Sequence, residues 1–148
     1  MRVETRLFGE IDIAEEKIIT LGRGLIGYPD MKRFTLIFDE EKQGKIMWLQ
    51  SLDEPQFAIP VVDPAGICAD YNPTVNDELL TPLGEESLFV LVTIRVPSDI
   101  TRMTINLKGP IIINTDNLRG EQIIVEDEVQ TRFPIYDILK SRKEKAGE

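Results

Sequence analysis

Residues 22–27 form the motif with the most specific chemical meaning in this chain. They read Gly-Arg-Gly-Leu-Ile-Gly, the G-x-G-x-x-G pattern of dinucleotide-binding folds, and acidic residues 39–41 follow near the spacing of a ribose contact. Such a fold needs a crossover of at least ~10–12 residues containing a helix after the glycines. Here residues 28–33, interrupted by Pro29, are all that precede the next strand-like segment, and Tyr28 stands where a phosphate loop has lysine. The motif therefore predicts a tight turn with positive φ.

The other reactive side chains do not form a recognised catalytic or metal-binding set. The sequence has no histidine, which excludes Ser-His-Asp and Cys-His nucleophiles and the common zinc ligand sets. Cys68 has apolar neighbours and no basic one, so we expect a small buried hydrophobic residue. Residues 70–78 carry oxygen ligands without the central glycine of a calcium loop, which favours a solvated loop. No catalytic residue, cofactor or metal site is predicted.

The negative charge is concentrated in one part of the chain. The 148 residues include 17 Lys and Arg and 26 Asp and Glu, for a net charge of −9. Residues 46–94, the acidic middle segment, contain eight carboxylates and no Lys or Arg. The electric field of these carboxylates repels nucleic acid and attracts basic proteins. The alternative is that the carboxylates only keep loops solvated. The candidate partner-binding residues are Asp53, Glu54, Asp63, Asp70, Asp77 and Glu78.

Short strand-like segments separated by Gly and Pro dominate the sequence. Residues 88–94 are apolar on both faces, which predicts a central strand or one in a closed sheet, and residues 103–108 alternate like a half-buried strand. Strands are also expected at 111–113 and, after a turn at 117–120, at 122–125, with Trp48 in the core. Strands do not alternate with helices, so the predicted class is all-β: a small antiparallel β-barrel-like fold or two packed sheets.

The helical signals are short. Residues 76–80 predict a single turn, and Pro134 is expected to begin a short C-terminal helix with Ile135, Ile138 and Leu139 on one face. We expect one domain over residues 1–148, with 141–148 a flexible basic tail. The start of the chain lacks the apolar region of a signal peptide, and the longest apolar stretch, residues 88–96, is too short for a membrane span. With one cysteine, a cytoplasmic location is predicted.

Several segments, taken together and in order, resemble the flagellar assembly factor family FliW. They run from about Leu7 to Asn114, and the block containing the tryptophan and the block around the Asn-Leu-x-x-Pro-Ile pattern are the most specific. The segments are Phe8-Gly9-Glu10-Ile11, Gly24-Leu25-Ile26-Gly27-Tyr28, Met47-Trp48-Leu49-Gln50-Ser51-Leu52-Asp53-Glu54-Pro55, Asp70-Tyr71 and Thr104-Ile105-Asn106-Leu107-Lys108-Gly109-Pro110-Ile111-Ile112-Ile113-Asn114.

The resemblance implies a non-enzymatic regulator with a small β-barrel-like fold. FliW-like proteins bind the translational regulator CsrA and prevent it from repressing flagellin mRNA. They bind CsrA away from its RNA-binding surface. They also bind newly made flagellin, a chaperone role, so that the two partners exchange. The alternatives from other classes are a small enzyme using carboxylates and a divalent metal, and a structural assembly subunit.

The two implied partners lead to expectations about surfaces. The acidic middle segment is expected to bind CsrA, because an RNA-binding regulator is basic. Flagellin, with amphipathic terminal helices, is expected at an apolar groove near residues 111–113 or on the 135–139 helix, unless both are simply core. We expect the chain to be monomeric on its own and to make no contact with RNA or membrane.

Overall fold

The computed structural model describes residues 1–38, 46–67, 71, 88–125 and 128–138, and most of its regular structure is β-strand. Short 3-10 turns lie at Glu15–Lys17, Pro64–Gly66 and Ile100–Arg102. The strands in this part of the chain are β1 (Arg2–Thr5), β2 (Gly9–Asp12), β3 (Ile19–Leu21), β4 (Arg33–Phe38), β5 (Ile46–Ser51), β6 (Ala58–Val62), β7 (Leu88–Arg95), β8 (Thr104–Ile105), β9 (Ile111–Asn114), β10 (Arg119–Gln122) and β11 (Phe133–Pro134).

Seven of these strands close into a barrel. The order is β7-β6-β5-β4-β3-β10-β9, and β9 returns to pair with β7 through the register Leu88↔Asn114 to Leu91↔Ile111. Every pair is antiparallel except β3–β10, which is parallel. The all-β, barrel-like prediction is confirmed. The interior is filled by alternate apolar side chains of these strands, including Ile19, Leu21, Phe34, Met47, Leu49, Val61, Leu91, Ile111 and Ile113.

Strand β7 belongs both to the barrel and to a small extension beside it. Its first half pairs with β9, and its last two residues, Ile94 and Arg95, pair with β8. Strand β8 then pairs with β11, so β7, β8 and β11 form a three-stranded C-terminal sheet. One face of this sheet packs on the outside of the barrel, where Ile94, Ile105 and Ile135 join Val62 in a second apolar cluster. The prediction that 88–94 lies in a closed sheet is confirmed.

The amino-terminal hairpin covers another part of the barrel wall. Strands β1 and β2 pair with each other as a separate two-stranded sheet, and Val3 and Ile13 pack with Leu52. Trp48 faces outward on β5 opposite Pro60, and the Phe8 ring meets its edge at 6.0 Å between centroids. The prediction of a core tryptophan was therefore wrong in part, because Trp48 is half-buried outside the barrel.

The C-terminal helix begins later than the sequence predicted. Pro134 lies in β11, where it pairs with Thr104, and helical residues begin at 136. The strand extends to this point because the Ile135 N–H donates to the Met103 carbonyl oxygen at 3.1 Å. Ile135 is fully buried, and Ile138 is partly buried against the same cluster. The remainder of the predicted helical face, Leu139, lies outside the described residues.

Near β9 one prediction is confirmed and one was wrong. Residues 111–113 are a strand as predicted, and they are 0, 3 and 2% exposed with β9 paired on both sides, so the core alternative holds and they form no groove for flagellin. The strand predicted at 122–125 is instead Arg119–Gln122, and Gly120 lies in it rather than in the preceding turn. Residues 123–125 continue the pairing irregularly, since Ile123 N–H donates to Pro110 O at 3.1 Å.

Some predictions fall on residues that the structure does not describe. These are the acidic residues 39–41, Cys68, the helical turn at 76–80 and the basic tail at 141–148. Across the ranges described above, no helix is long and apolar enough to cross a membrane.

Candidate partner-binding surface

The glycine motif forms a tight turn, as the sequence predicted. Gly24 has φ +69° and Gly27 has φ +90°, and Leu25 and Tyr28 form an antiparallel bridge across the turn. A Cβ atom at Gly24 would lie 2.6 Å from the carbonyl oxygens of Tyr28 and Pro29, so the chain approaches itself too closely for a side chain. Leu25 points into the core, whereas Tyr28 is 51% exposed. The turn therefore presents an aromatic ring to solvent.

A second turn, residues 52–57, is held in shape by Gln50. This fully buried side chain donates from Nε2 to the carbonyl oxygens of Ser51, Pro55 and Phe57, at 2.9, 3.0 and 3.1 Å. The hydroxyl Oγ of Ser51 also accepts from the Glu54 N–H at 2.9 Å. A single amide thus bonds carbonyl groups at the start and the end of the turn and fixes the position of Phe57, directly before β6.

The carboxylate of Asp53 joins this second turn to the start of β4. Its Oδ2 accepts from the N–H groups of Lys32 and Arg33, both at 2.9 Å, and its Oδ1 accepts from Arg33 Nε at 2.9 Å. Partial burial raises the pKa of Asp53, but the Arg33 and Lys32 N–H groups and the Arg33 guanidinium outweigh it. The pKa of this carboxyl therefore lies below its ordinary value.

The two turns meet through an aromatic contact. The rings of Tyr28 and Phe57 lie 5.4 Å apart between centroids, tilted by 48°. Beside them is a shallow cavity of about 500 Å³, bordered by residues 27–31 and by Glu54 and Gln56. We call residues 26–31 and 53–57 together the two-turn surface. It has an aromatic centre, and the exposed carboxylates of Asp30 and Glu54 lie at its rim.

The two-turn surface has features of a protein-binding surface. Within the described ranges, no three Asp, Glu or Cys side chains come together in a way that could hold a metal ion. Exposed aromatic side chains supply most of the energy at protein interfaces, and charged groups at the rim guide encounter. The two-turn surface combines these two features.

The structure brings together two of the predicted acidic residues and separates a third. Asp53 and Glu54 lie in one turn, and Glu54 is the exposed member. Asp63 lies at the far end of β6, where its Oδ1 accepts from the Ala65 N–H at 2.9 Å and caps the 64–66 turn. Asp70, Asp77 and Glu78 lie outside the described residues.

The sequence reasoning missed both aromatic residues of the surface. Tyr28 directly follows a turn of glycines, and Phe57 begins a strand, so each pattern indicated backbone structure only. Their proximity depends on the barrel, which brings the ends of β3 and β5 together through β4. A tyrosine at the tip of a tight turn is the one signal that could have identified an exposed ring.

Comparison with known proteins identifies the family and agrees with this fold. The model of the FliW protein family matches residues 2–135. The chain belongs to the FliW family. It is 47% identical to the flagellar assembly factor FliW of Lachnospira eligens, over 97% of this chain and 99% of that protein. It is 44% identical to the factor of the same name from Lachnoclostridium phytofermentans, over 98% and 97% of the two chains.

A solved structure from the FliW family has the same fold. The crystal structure of a flagellar assembly factor FliW superposes with a TM-score of 0.84 at 26% sequence identity, covering 92% of this chain and 97% of that one. The resemblance found in the sequence is therefore confirmed, in both family and architecture.

Proposed function

We propose that this chain is a non-enzymatic flagellar assembly factor that acts by binding other proteins. The observation that carries the proposal is the nearly full-length match to relatives named flagellar assembly factor FliW, at 47 and 44% identity. The described residues add a surface with one exposed aromatic ring, Tyr28, packed on the partly buried Phe57 and flanked by exposed carboxylates, which has the chemistry of a protein interface.

The proposed partners are the translational regulator CsrA and flagellin, as the family resemblance implies. When CsrA is bound to this chain, it no longer represses flagellin mRNA. When unexported flagellin accumulates, it takes the place of CsrA, and flagellin synthesis falls. A ligand shifts such a partition only by its differential affinity, so flagellin must bind the free chain more tightly than the chain already holding CsrA.

We place the CsrA contact on the two-turn surface. Tyr28 is the proposed anchor, because a half-exposed ring packed against Phe57 loses water on binding with little loss of side-chain freedom. The exposed carboxylates of Glu54 and Asp30 steer the basic partner toward it. Asp53 acts indirectly, by holding the second turn on β4.

The contact is tested by measuring CsrA binding to Tyr28→Ala and Glu54→Lys. Removing the anchor ring should weaken binding by about tenfold or more, mainly through faster dissociation. Reversing the rim charge should slow association, with a larger effect at low salt than at physiological salt. The matched controls are Ile124→Ala and Glu128→Lys, exposed residues that do not line the two-turn surface.

Wild-type affinity and association rates for both two-turn variants would contradict the placement of the CsrA contact. The wider proposal is tested by a pull-down from flagellated cells with this chain as bait. Recovery of neither an RNA regulator nor flagellin would contradict it.

The exchange of partners is tested by mixing the three purified proteins and following them by size-exclusion chromatography. We expect CsrA to leave the complex as flagellin is added and to return when flagellin is removed. A stable ternary complex in which CsrA remains silenced would contradict the exchange, while leaving binding to each partner intact.

A further inference from the structure

The outer face of the C-terminal sheet has a composition unlike the rest of this acidic chain. Arg95, the last residue of β7, pairs with Thr104 of β8, which pairs in turn with Pro134 of β11. Residues directly opposite one another on neighbouring strands point to the same face. The opposite face, with Ile94 and Ile105, is buried against the barrel, so these three side chains line the outward face.

Two more arginines converge on this face. Arg102 lies two residues before Thr104, and Arg132 lies two residues before Pro134. They therefore precede β8 and β11. A cavity of about 400 Å³ is bordered by Arg95, Pro97, Arg102, Thr104, Arg132 and Pro134. A second cavity of about 480 Å³ shares Arg95, Thr104 and Arg132 and extends to Ile59 on β6. We call the six residues around the first cavity the arginine face.

The arginines of this face make no ion pair within 4.0 Å to a carboxylate among the residues the structure describes. The ion pairs found there involve the amino terminus, Arg2, Arg23 and Arg33 instead. Asp99 is the nearby acid: its Oδ1 accepts from the hydroxyl and N–H of Thr101, at 2.5 and 3.1 Å, and these bonds, together with the more distant charge of Arg102, lower the pKa of its carboxyl. Three permanently charged guanidinium groups thus border one cavity in a chain with more acidic than basic residues.

A hydroxyl group in the same face is also left without a partner. Thr104 Oγ1 is shielded from solvent and makes no hydrogen bond to any described atom. Buried polar atoms in folded proteins nearly always have a partner, so this hydroxyl is available to bond a group that displaces the side chains covering it. A carboxylate could accept from it, and planar oxyanions are also the groups that guanidinium binds best.

We propose that the arginine face binds a carboxylate-bearing peptide segment of a protein partner. A single inorganic anion would leave most of a 400 Å³ cavity empty, whereas a peptide with acidic and apolar side chains would also cover the two prolines and the arginine stems. A nucleic acid would meet the repulsion of a chain with net charge −9. This site shares no lining residue with the two-turn surface and is separate from the contact proposed above.

The probe for this site is a synthetic hexapeptide of alternating Glu and Leu, titrated into the isotopically labelled full chain and followed by NMR. We expect the amide signals of residues 93–104 and 131–134 to shift, and the affinity to fall as salt is added. A peptide with Gln in place of Glu should bind about tenfold more weakly or worse, since charge-assisted hydrogen bonds are lost.

The double variant Arg102→Gln with Arg132→Gln tests the residues. Both side chains are exposed, so the melting temperature should stay near that of the parent while peptide affinity falls by about tenfold or more. Arg119→Gln, an exposed arginine on β10, is the matched control and should bind as the parent does. Tyr28→Ala should also bind normally, so this result is independent of the CsrA contact.

Three results would overturn the proposal. One is equal peptide affinity of the parent and the double variant, and another is the absence of any shift at residues 93–104 and 131–134. The third is tighter binding of inorganic phosphate or an oligouridylate to the same residues, which would assign the face to phosphate groups instead.

Discussion

Asp53 has a role in the fold, because its carboxylate holds the 52–57 turn against the start of β4. Asp53→Asn removes the charge that accepts three hydrogen bonds from Lys32 and Arg33. We expect the free energy of unfolding at pH 7 to fall by about 1–2 kcal/mol, measured by urea denaturation. Asp30→Asn, on the exposed rim, should change it by less than about 0.5 kcal/mol.

The pH dependence of this effect has a defined sign. The pKa of Asp53 in the folded chain lies below its ordinary value of 3.8, so the carboxylate stabilises the fold fully above that value. Its contribution is lost as the pH falls through the folded pKa. The difference between the parent and Asp53→Asn should therefore shrink between pH 5 and pH 2, estimated as about the titration range of one such carboxyl. A difference that stayed constant over that range would contradict this account.

The two glycines with positive φ in the 22–27 turn, Gly24 and Gly27, allow backbone strain and side-chain crowding to be separated. At Gly27 a Cβ atom meets nothing within 4 Å, so Gly27→Ala should destabilise by about 1–2 kcal/mol through its φ of +90° alone. At Gly24 the Cβ would also strike two carbonyl oxygens at 2.6 Å, so Gly24→Ala should cost about 2–4 kcal/mol. Thermal melts of the two variants compare them, and equal losses would show that the turn relaxes.

At the scale of secondary-structure elements, the sequence predicted the strands and turns that depend on the local pattern of residues. The apolar run of β7 and the turn at Gly24–Gly27 follow from side-chain type and spacing, and both are confirmed. The parallel pairing of β3 with β10 could not be predicted, since about a hundred residues separate the two strands and pairing is not encoded locally. Pro134 lies in a strand because its pairing with β8 prevails over the usual preference at a helix start.

Gln50 shows how an element can be organised by a residue outside it. Gln50→Met keeps the length of the side chain but removes the amide that donates to the carbonyls of Ser51, Pro55 and Phe57. The Pro55 and Phe57 carbonyls keep their bonds from the N–H groups of Arg6 and Ser51, so we expect a loss of about 1–3 kcal/mol in the free energy of unfolding. The ring signals of Tyr28 and Phe57 in NMR spectra should also shift as the turn loosens. Gln130→Met, an exposed glutamine, is the control, and a similar small change in both variants would contradict the role assigned to Gln50.

At the scale of the whole molecule, the two candidate surfaces carry opposite charge. The two-turn surface presents Asp30 and Glu54 around aromatic rings, whereas the arginine face gathers three guanidinium groups in the C-terminal sheet. Net charge alone would have suggested a uniformly acidic protein. The sequence did not reveal the arginine face, because its residues come from three strands whose adjacency depends on the fold.

The net charge of −9 also sets how this chain should act on CsrA bound to mRNA. A strongly negative protein held on CsrA repels a nearby RNA even if the two never touch, so it can weaken RNA binding without occupying the RNA site. Thermodynamic linkage then requires that bound RNA weaken the affinity of this chain for CsrA by the same factor. That factor should decrease as salt is added, because the repulsion is screened over about 10 Å at 0.1 M.

The measurement titrates CsrA with this chain in the presence and absence of saturating flagellin leader RNA, at two salt concentrations. We expect weaker binding when RNA is present, and a smaller difference at the higher salt. The double variant Glu54→Lys with Glu128→Lys changes the net charge by four and should reduce the coupling further. This variant separates charge repulsion from a change in the shape of CsrA. Equal affinities with and without RNA would exclude the coupling, and a coupling unaffected by salt would exclude repulsion as its cause.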